Sequence, residues 1–478
     1  MAVHAGSLHA GSVVIIGSGP GGYEAALVAR QLGATVTLVD RDGIGGSAVL
    51  TDCVPSKALI ATSNAMLAVA DSGDLGVLIN GQPPVSSELS VNLATVNARV
   101  RALAHAQSAD IAAALEREGV RILHGEGSFI DSTTVSVTDP DGNTTSVHAD
   151  LALIATGARP RILDTATPDG ERILTWDQVY GLTELPEKLI VVGSGVTGAE
   201  FASAYQGLGS EVILVSSRDR VLPSEDEDAA RVIESVFQRR GVHVMSKARA
   251  VGVRRAMLAN GSEGVEVDLQ DGRTIEGSHA LLALGSIPNT DNLNLEAVGV
   301  HTDDRGFIEV DKVSRTSART IYAAGDCTGV LMLASVAAMQ GRIAMWHALG
   351  DAVTPIQLDA VSSTVFTEPE IATVGVSQHD LDSGDFRGEV VLLPLATNAR
   401  AKMQEQSDGF IKILCRKSSR IVAGAVVVSP SASELIHPLT LAVQERLTVD
   451  ELAATFTVFP SLSGSIAEAA RRLHRGHD

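Results

Sequence analysis

Apolar and polar positions along residues 12–40 follow an order typical of a strand, a helix and a second strand. The apolar run SVVIIG is followed by a glycine turn, the amphipathic stretch GYEAALVARQLG and a second apolar run, TVTLVD. Strands joined by a helix in this way predict a βαβ unit. The order returns 176 residues later as LIVVG, SGVTG, AEFASAYQGLG and EVILV, which ends at Val215. The pattern therefore predicts two βαβ units in one chain.

The last third of the chain has a different pattern. From about Pro355, short apolar runs (STVF, IATVGV, EVVLLPL, FIKILC and IVAGAVVV) are followed by helical stretches, which predicts a separate α+β domain. Connections rich in proline and glycine, ATGARPR and LGSIPNT, bracket the second βαβ unit and predict that it is inserted into the first domain. The predicted boundaries are residues 1–160 and 285–355 for the first domain, 161–284 for the second and 356–478 for the third.

Composition fits this division and excludes some partners. The 478 residues, 45% of them hydrophobic, are enough for three cores. Lys+Arg 37 against Asp+Glu 57 gives a formal net charge of -20, and no basic run is present to bind nucleic acid or an anionic membrane. No apolar run approaches the roughly 20 residues of a membrane span, and MAVHAGSLHA has no signal-peptide pattern. We expect a cytoplasmic protein without membrane insertion.

The glycine turn of the first unit, GSGPGG, fits the dinucleotide fingerprint GxGxxG directly after a strand. Gly17 permits the tight turn, Gly19 lets a pyrophosphate approach the backbone beside Pro20, and Gly22 lets the helix pack on the strand. Asp40 ends the next strand, where an acid accepts hydrogen bonds from ribose hydroxyls. These features together predict a dinucleotide site, and the alternative is a tight turn of another α/β fold.

The second unit repeats the fingerprint with Gly193, Gly195 and Gly198. Its second strand ends not in an acid but in Ser216-Ser217-Arg218. A carboxylate at this point binds the ribose 2′-hydroxyl of NAD and repels a 2′-phosphate, whereas an arginine beside two hydroxyls accommodates the phosphate. NADPH is therefore allowed as well as NADH, unless Arg218 is a solvated surface residue.

Further motifs occur in order along the chain. They are ATG at residues 155–157, TIYAAGD ending at Asp326, VFTEPEIATVG, NARAKMQEQSDGFIKIL and PSLSGSIAEAA. Together with the two glycine loops, this set resembles the pyridine nucleotide-disulfide oxidoreductases, the family of lipoamide dehydrogenase, glutathione reductase and mercuric reductase. The resemblance covers nearly the whole chain. It implies an α/β fold with two Rossmann-like βαβ domains, for FAD and NAD(P), and a C-terminal α+β dimerisation domain.

The resemblance also implies roles for single residues. FAD would bind the first unit, with Asp326 at its ribityl chain and Asp40 at its adenosine ribose. Lys57 would lie near the flavin N5, paired with Glu200; the alternative is two unrelated surface charges. A buried cation needs such a partner, and a fixed positive charge favours the anionic reduced flavin. The other cofactor-binding positions that we assign from the resemblance are Arg41, Ala48, Thr156, Gly157, Gly285, Leu333 and Ala334.

The redox loop departs from the family. Its members carry GGTCLNxGCxPSK, whereas this chain reads GGSAVLTDCVPSK, so Cys53 matches the cysteine nearer the flavin and Ala48 replaces the outer one. In the family's HPTxSE segment, the catalytic histidine and the glutamate that holds it correspond here to Phe459 and Gly464. Because the attacking thiol, its base and the group orienting that base are absent together, we expect no disulfide reductase activity.

The reduced flavin still needs an acceptor. Ala48 and Phe459 in place of polar groups predict a drier, roomier site that suits a quinone. The closest resemblance is to lipoamide-dehydrogenase-like NAD(P)H quinone reductases, which transfer two electrons from NAD(P)H through FAD, and the family implies a homodimer. Which flavin face a quinone uses stays open. Alternatives are a pyridine nucleotide transhydrogenase, a Cys53-based peroxide reductase, or a flavin-bound sensor or assembly protein.

The cysteines and histidines do not suggest a metal site. Cys53, Cys327 and Cys415 lie far apart, and the thirteen histidines have no ligand spacing. Cys53 begins a predicted helix, PSKALIATSNAML, whose dipole lowers a thiol pKa. It is either a redox-active partner of the flavin, a sulfenic-acid centre or an inert packed residue. Lys57, Glu200 and Cys53 are the candidate catalytic residues.

Overall fold

A computed structural model describes residues 11–474. Its strands have lengths of three to eight residues. They are β1 Ser12–Ile16, β2 Thr35–Asp40, β3 Arg121–His124, β4 Glu126–Asp131, β5 Thr134–Thr138, β6 Thr144–His148, β7 Leu151–Ile154, β8 Ala158–Pro160, β9 Ile173–Thr175, β10 Lys188–Val192, β11 Glu211–Val215, β12 His243–Met245, β13 Ala250–Met257, β14 Glu263–Leu269, β15 Thr274–Gly277, β16 His279–Leu282, β17 Ser286–Pro288, β18 Ile321–Ala323, β19 Ser362–Val365, β20 Glu370–Gly375, β21 Gly388–Pro394, β22 Phe410–Arg416 and β23 Val422–Ser429.

The structure describes twelve α-helices between and after these strands. They are α1 Pro20–Gln31, α2 Gly46–Leu50, α3 Cys53–Asp71, α4 Leu93–Arg117, α5 Val196–Leu208, α6 Glu227–Arg239, α7 Ala334–Ala348, α8 Gln378–Ser383, α9 Ala399–Met403, α10 Ala432–Gln444, α11 Val449–Ala454 and α12 Gly464–Leu473.

Within the described residues, contacts divide the chain into two compact units. Unit 1 comprises residues 11–56, 98–161 and 285–356, and unit 2 comprises residues 57–97, 162–284 and 357–474. The sequence predicted three domains built from four segments, which is a finer division than these two units. The predicted domain boundaries stay a prediction. Residues 1–10 and 475–478 of the outer predicted segments lie outside the described residues.

The main sheet of unit 1 is parallel, with strand order β18-β7-β1-β2-β3. Because successive side chains of a strand point to opposite faces, β1 contributes to two cores. Val13 and Ile15 pack in the core that includes Ala25 of α1, whereas Val14 and Ile16 pack in the core that includes the small antiparallel sheet β4-β5-β6. The sheet is thus covered on both faces, as expected for parallel strands that are apolar throughout.

The first sheet of unit 2 repeats this design. Its strands are parallel in the order β12-β11-β10-β16-β9. Ile190 and Val192 of β10 pack with Val265 and Val267 of the antiparallel sheet β13-β14-β15, and α5 contacts β10 and β11. The carboxyl ends of β10, β11 and β12 lie along one edge, which is where parallel sheets bind nucleotides.

The second large sheet of unit 2 is antiparallel, in the order β19-β20-β23-β22-β21. Its five strands are those predicted from the apolar runs after Pro355. Helices α10, α11 and α12 complete a core around Ile411, Ile413, Leu439 and Ile466. The predicted fold class is confirmed: two Rossmann-like βαβ units and a C-terminal α+β region are present.

The residues that the structure describes include one long, apolar helical stretch. The helical stretch Gly46–Leu75 is long and apolar enough, by length and composition, to meet the criterion for a membrane span, and 33% of its most apolar window is buried. Core helices of globular proteins meet the same criterion. Asp52 and Lys57 lie within this stretch, so it contains no uninterrupted apolar run of that length, and the expectation of no membrane insertion stays a prediction.

Candidate functional site

The first glycine loop joins β1 to α1 in unit 1. Gly17 has φ +101°, and a Cβ atom on it would lie 2.3 Å from the carbonyl oxygen of Ala155. A Cβ on Gly22 would lie 1.9 Å from the Gly17 oxygen, so both positions require glycine. A Cβ on Gly19 would meet nothing within 4 Å, and no side chain caps α1, which begins at Pro20. The loop is therefore open at the helix N-terminus, as a pyrophosphate requires.

Asp40, at the end of β2, holds this loop in shape. Its Oδ2 accepts hydrogen bonds from the Ser18 backbone N (2.9 Å) and Oγ (2.5 Å). Its Oδ1 accepts from the backbone N of Asp42 (2.9 Å) and of Gly43 (2.5 Å). These four bonds match the four lone-pair sites of a carboxylate. Asp40 thus positions the glycine loop, and its predicted contact with ribose hydroxyls stays a prediction.

A cleft of about 400 Å³ opens beside this loop within unit 1. Gly17, Asp40, Arg41 and Thr156, four predicted cofactor-binding residues, all line it. Arg41 forms ion pairs with Asp42 (2.9 Å) and Glu126 (3.0 Å). Thr156 Oγ1 donates to the Asn289 carbonyl at 2.7 Å, which ties the ATG turn to the chain after β17. The cleft, the open loop and the uncapped helix together fit the adenosine and pyrophosphate parts of FAD.

Asp326 lies in the same unit, after β18. Burial, the larger cause, and the negative charge of Asp52 together raise the pKa of its carboxyl to about 6. Asp52 stands at the position where the family motif has a glycine, so this chain adds a carboxylate to that environment. Gly325, just before Asp326, donates from its backbone N to Gln340 Oε1 at 2.8 Å.

The remaining residues assigned to unit 1 occupy turns and helix starts. Gly157 has φ +68°, and Gly285 has φ +82° with its carbonyl oxygen accepting from Arg161 N at 2.9 Å. Leu333 precedes α7, Ala334 begins it, and no side chain caps this helix. The positive φ angles of the two glycines are properties of the backbone alone. The cofactor contacts predicted for these four residues stay predictions.

None of the three cysteines forms a disulfide. Cys53 is partly buried at the first position of α3, and Ala48 lies within α2. Cys327 and Cys415 are fully buried; burial raises the pKa of Cys327 to about 12 and also raises the pKa of Cys415. In residues 11–474, no group of three His, Cys, Asp or Glu side chains is arranged to hold a metal ion.

The second glycine loop, in unit 2, has the geometry of the first. Gly193 has φ +114°, and its Cβ would lie 2.2 Å from the carbonyl oxygen of Ala283. A Cβ on Gly198 would lie 1.8 Å from the Gly193 oxygen, whereas one on Gly195 would meet nothing within 4 Å. No side chain caps α5. Unit 2 therefore has a second loop suited to a pyrophosphate.

The turn after β11 contains the three residues assigned to the NAD(P) ribose. Ser216 is fully buried, and its Oγ lies 2.7 Å from Ser194 Oγ in the glycine loop. Ser217 and Arg218 are exposed. The buried serine connects the two loops, so the exposed pair is the part of this turn that a nucleotide can reach.

Lys57 and Glu200 are brought together in unit 2. Lys57 Nζ lies 2.9 Å from Glu200 Oε2, with side-chain exposures of 31% and 5%. Glu200 Oε1 accepts from the backbone N of Phe366 at 2.9 Å, and Lys57 Nζ lies 4.8 Å from the centre of the Phe366 ring. The sequence predicted the pair but not Phe366, because no local pattern shows that a backbone N–H 166 residues from Glu200 orients its carboxylate.

A short segment between α11 and α12 exposes three apolar side chains. Phe456 is fully exposed, and Val458 and Phe459 are 76% and 87% exposed. Gly464, the other position that departs from the family motif, begins α12. Exposed apolar residues in one cluster are typical of an interaction surface.

Two parallel sheets, each with an open glycine loop at the start of a helix, are the arrangement of an oxidoreductase family that binds two dinucleotides. The chain belongs to the pyridine nucleotide-disulphide oxidoreductase family. The family model matches residues 11–341, and the model of the family's dimerisation domain matches residues 361–470.

Several characterised proteins are similar over nearly the whole chain. An NAD(P)H dehydrogenase (quinone) from Mycobacterium tuberculosis strain H37Rv is 54% identical over 475 residues, covering 98% of this chain and 94% of the relative. A dihydrolipoyl dehydrogenase from Bacillus subtilis is 32% identical, covering 96% and 95%. The crystal structure of LpdA from Mycobacterium tuberculosis matches with a TM-score of 0.91 and 54% identity, covering 97% of this chain and 100% of that one.

Proposed function

We propose that this protein is an FAD-dependent NAD(P)H:quinone oxidoreductase that transfers two electrons from NAD(P)H to a quinone and does not reduce disulfides. The observation that carries the proposal is the 54% identity, over 98% of the chain, to an enzyme named NAD(P)H dehydrogenase (quinone). The identity to a dihydrolipoyl dehydrogenase is lower, at 32%.

The residues of unit 1 fit FAD. The open turn at Gly19 and the uncapped start of α1 would hold the pyrophosphate, Asp40 would keep that loop in shape, and Asp326 would contact the ribityl chain. Bound FAD supplies the two-electron redox chemistry that no side chain of the chain provides. In unit 2, the loop at Gly195 would hold the pyrophosphate of NAD(P)H.

Lys57 and Glu200 together provide a positive charge that is held in a fixed position. The Lys57 side chain is only 31% exposed, so its charge acts more strongly on its surroundings than a fully exposed ammonium would. Glu200 keeps that charge in place, and the Phe366 N–H fixes the second carboxylate oxygen. Family resemblance places Lys57 beside the flavin, where a fixed positive charge favours the reduced, anionic form.

The side chains that would support disulfide reduction are missing. Cys53 has no second cysteine in its loop, since Ala48 takes that position. Phe459 cannot transfer a proton, and Gly464 cannot orient a base. An apolar, proton-inert environment suits an acceptor such as a quinone. The chain thus keeps the residues for reducing its flavin and lacks those for passing electrons to a disulfide.

The match to the family's dimerisation domain supports a homodimer. The exposed side chains of Phe456, Val458 and Phe459 lie within that region and would be shielded from water by a second copy of the chain. Size-exclusion chromatography with light scattering should give twice the mass of one chain. Phe456→Ser with Phe459→Ser should shift the equilibrium to monomer, whereas Met257→Ser, at an exposed apolar position of β13, should not. The cytoplasmic location stays a prediction.

The function is tested by following NAD(P)H oxidation with menadione, lipoamide and glutathione disulfide as separate acceptors. We expect fast turnover with menadione alone, and we expect Cys53→Ser to keep it. Comparable turnover with lipoamide would contradict the proposal. Reduction of an NAD analogue by NADPH with quinones inert would favour a transhydrogenase, and loss of a peroxidase activity in Cys53→Ser would favour peroxide reduction. Flavin reduction over many minutes would favour a sensor or assembly protein.

A further inference from the structure

A cleft of about 510 Å³ lies within unit 2, and none of the residues assigned to FAD or NAD(P)H lines it. Its walls are the C-terminal ends of α3 and α6, the turn that joins β19 to β20 and the chain after α9. A volume of this size is typical of sites for small molecules. Five carboxyl groups and two arginines line the cleft, together with apolar side chains that include Leu67 and Pro369.

Glu368 contributes a carboxyl group to this cleft. The backbone N of Glu368 donates to Ser203 Oγ at 3.2 Å, and its carbonyl oxygen accepts from Arg240 Nη1 at 3.1 Å. These bonds fix the backbone, whereas the half-buried carboxyl group forms no hydrogen bond or ion pair with any described residue in the range 11–474. Polar groups that lose contact with water normally gain a hydrogen-bond partner. A carboxylate held in a cleft in this way is suited to a ligand that donates hydrogen bonds.

The end of α3 adds negative charge to the same cleft. The helix ends at Asp71, no basic residue occupies its last turn, and Asp74 follows. The C-terminal end of a helix carries a partial negative charge, so a cation is favoured there and carboxylates are not. Neither Asp71 nor Asp74 forms an ion pair with another residue that the structure describes. This end of the cleft therefore attracts a cation.

The two arginines offset only part of this charge. Arg239 pairs with Asp408, another of the five carboxyl groups, and Arg240 donates to the Glu368 carbonyl oxygen. Both arginines lie at the C-terminal end of α6, where a positive charge is favoured. With Glu405 as the fifth carboxyl group, negative charges outnumber positive ones in the cleft.

We infer that this cleft binds a small organic cation with an ammonium or guanidinium group, whose charge lies between Glu368 and Asp71 and whose carbon chain packs on Leu67 and Pro369. A metal ion fits less well, because in residues 11–474 no group of three His, Cys, Asp or Glu side chains is arranged to hold one. The apolar walls likewise favour an organic ligand, since they offer contacts to carbon atoms and no further ligands to a metal.

Binding at this site depends on pH through Glu368. Burial raises the pKa of its carboxyl to about 7; Arg240 opposes this shift, and Glu370 and Asp71 add to it. The carboxyl is therefore mostly neutral at pH 5.5 and mostly charged at pH 8.5. Because a cation binds the charged form, its affinity should rise between these two pH values.

The test is titration calorimetry of the purified holoprotein with putrescine and with agmatine as separate probes, at constant ionic strength. Butane-1,4-diol, which has the length of putrescine without its charges, is the control ligand. We expect at least one of the two cations to bind at pH 8.5 and to bind about tenfold more weakly at pH 5.5. The diol should not bind at either pH.

Three variants locate the binding. Glu368→Gln should weaken it about tenfold or more at pH 8.5 and remove its pH dependence, since the amide keeps the size of the side chain and loses its charge. Asp71→Asn should weaken binding by a smaller factor, because Asp71 is the more exposed of the two. Glu88→Gln, at an exposed glutamate outside the cleft, should bind the probes as the wild type does.

Failure of both cations to bind the wild-type protein would overturn the inference. So would equal binding to Glu368→Gln and to the wild type, which would show that the net charge of -20 attracts the probes without a defined site. These measurements require no turnover. A failure of the quinone assay therefore leaves the cation site unaffected, and an absence of cation binding leaves the proposed function unaffected.

Discussion

Lys57 Nζ lies 2.9 Å from Glu200 Oε2, and the glutamate side chain is only 5% exposed. Removing the lysine charge would leave a buried carboxylate without its counter-ion, a change that costs about 3 kcal/mol or more. We expect Lys57→Met to lower the melting temperature by about 5 °C or more and to slow flavin reduction by NAD(P)H. Thermal unfolding and rapid-mixing absorbance measurements check both effects.

The matched control for this change is Lys188→Met. Lys188 pairs with Glu211 at 2.8 Å, but the two side chains are 35% and 57% exposed. Exposed pairs contribute about 0–1 kcal/mol, so this variant should melt within about 2 °C of the wild type. Equal losses of stability in the two variants would contradict the view that shielding of Glu200 makes the first pair important.

A second lysine, Lys412 of β22, is almost fully buried. Its Nζ lies 2.7 Å from Asp226 Oδ2 and 2.7 Å from Asp228 Oδ2, with the aspartates 2% and 40% exposed. Asp226 also caps α6, a role that asparagine fulfils equally well. We expect Asp226→Asn to lower the melting temperature clearly more than Asp228→Asn, because solvent compensates the exposed position but not the buried one. Similar melting temperatures of the two variants would contradict this.

The raised pKa of the Glu368 carboxyl predicts how the stability of the protein depends on pH. Burial raises the pKa of this carboxyl from 4.5 to about 7; Arg240 opposes the shift, and Glu370 and Asp71 add to it. The folded state therefore binds the proton more tightly than the unfolded state, and stability falls as pH rises from about 4.5 to 7. Glu368→Gln should be more stable than the wild type at pH 8.5, by about 2 kcal/mol, and show a smaller gain at pH 5.5.

Chemical denaturation at these two pH values measures the difference. Glu88→Gln, at an exposed glutamate, is the control and should match the wild type at both. A Glu368→Gln variant whose advantage is the same at pH 5.5 and 8.5 would show that the substitution acts through packing and not through the carboxyl charge.

The cysteines differ in predicted reactivity. Cys327 and Cys415 are fully buried and have raised pKa values, whereas Cys53 is partly buried at a helix start. Since the thiolate is the reactive form, dithionitrobenzoate should label no more than one thiol in the native protein and all three after denaturation. Cys53→Ser should abolish the native labelling. A second native thiol that reacts within minutes would show that one of the buried sites opens.

Local patterns predicted much of this protein because local physics produces them. The run SVVIIG forms β1, TVTLVD forms β2 and FIKILC lies within β22, since apolar, β-branched runs between turn residues favour strands. The first and third glycines of each loop were recognisable because a Cβ at these positions would clash with the backbone, which leaves a fixed spacing in the sequence. The predicted helix PSKALIATSNAML lies within α3 for the same reason, since its residues favour a helix.

The sequence by itself determined the two βαβ units, the C-terminal α+β region and the absence of a second cysteine from the redox loop, all of which follow from residue type and spacing. Only the tertiary structure decided which charges meet. It pairs Lys57 with Glu200 across 143 positions, turns Ser216 inward onto Ser194 and brings Glu368 and Asp71 to one cleft. Such contacts depend on the order of the strands in a sheet and on which polar side chains become buried and therefore need a hydrogen-bond partner. Local sequence patterns predict neither of these.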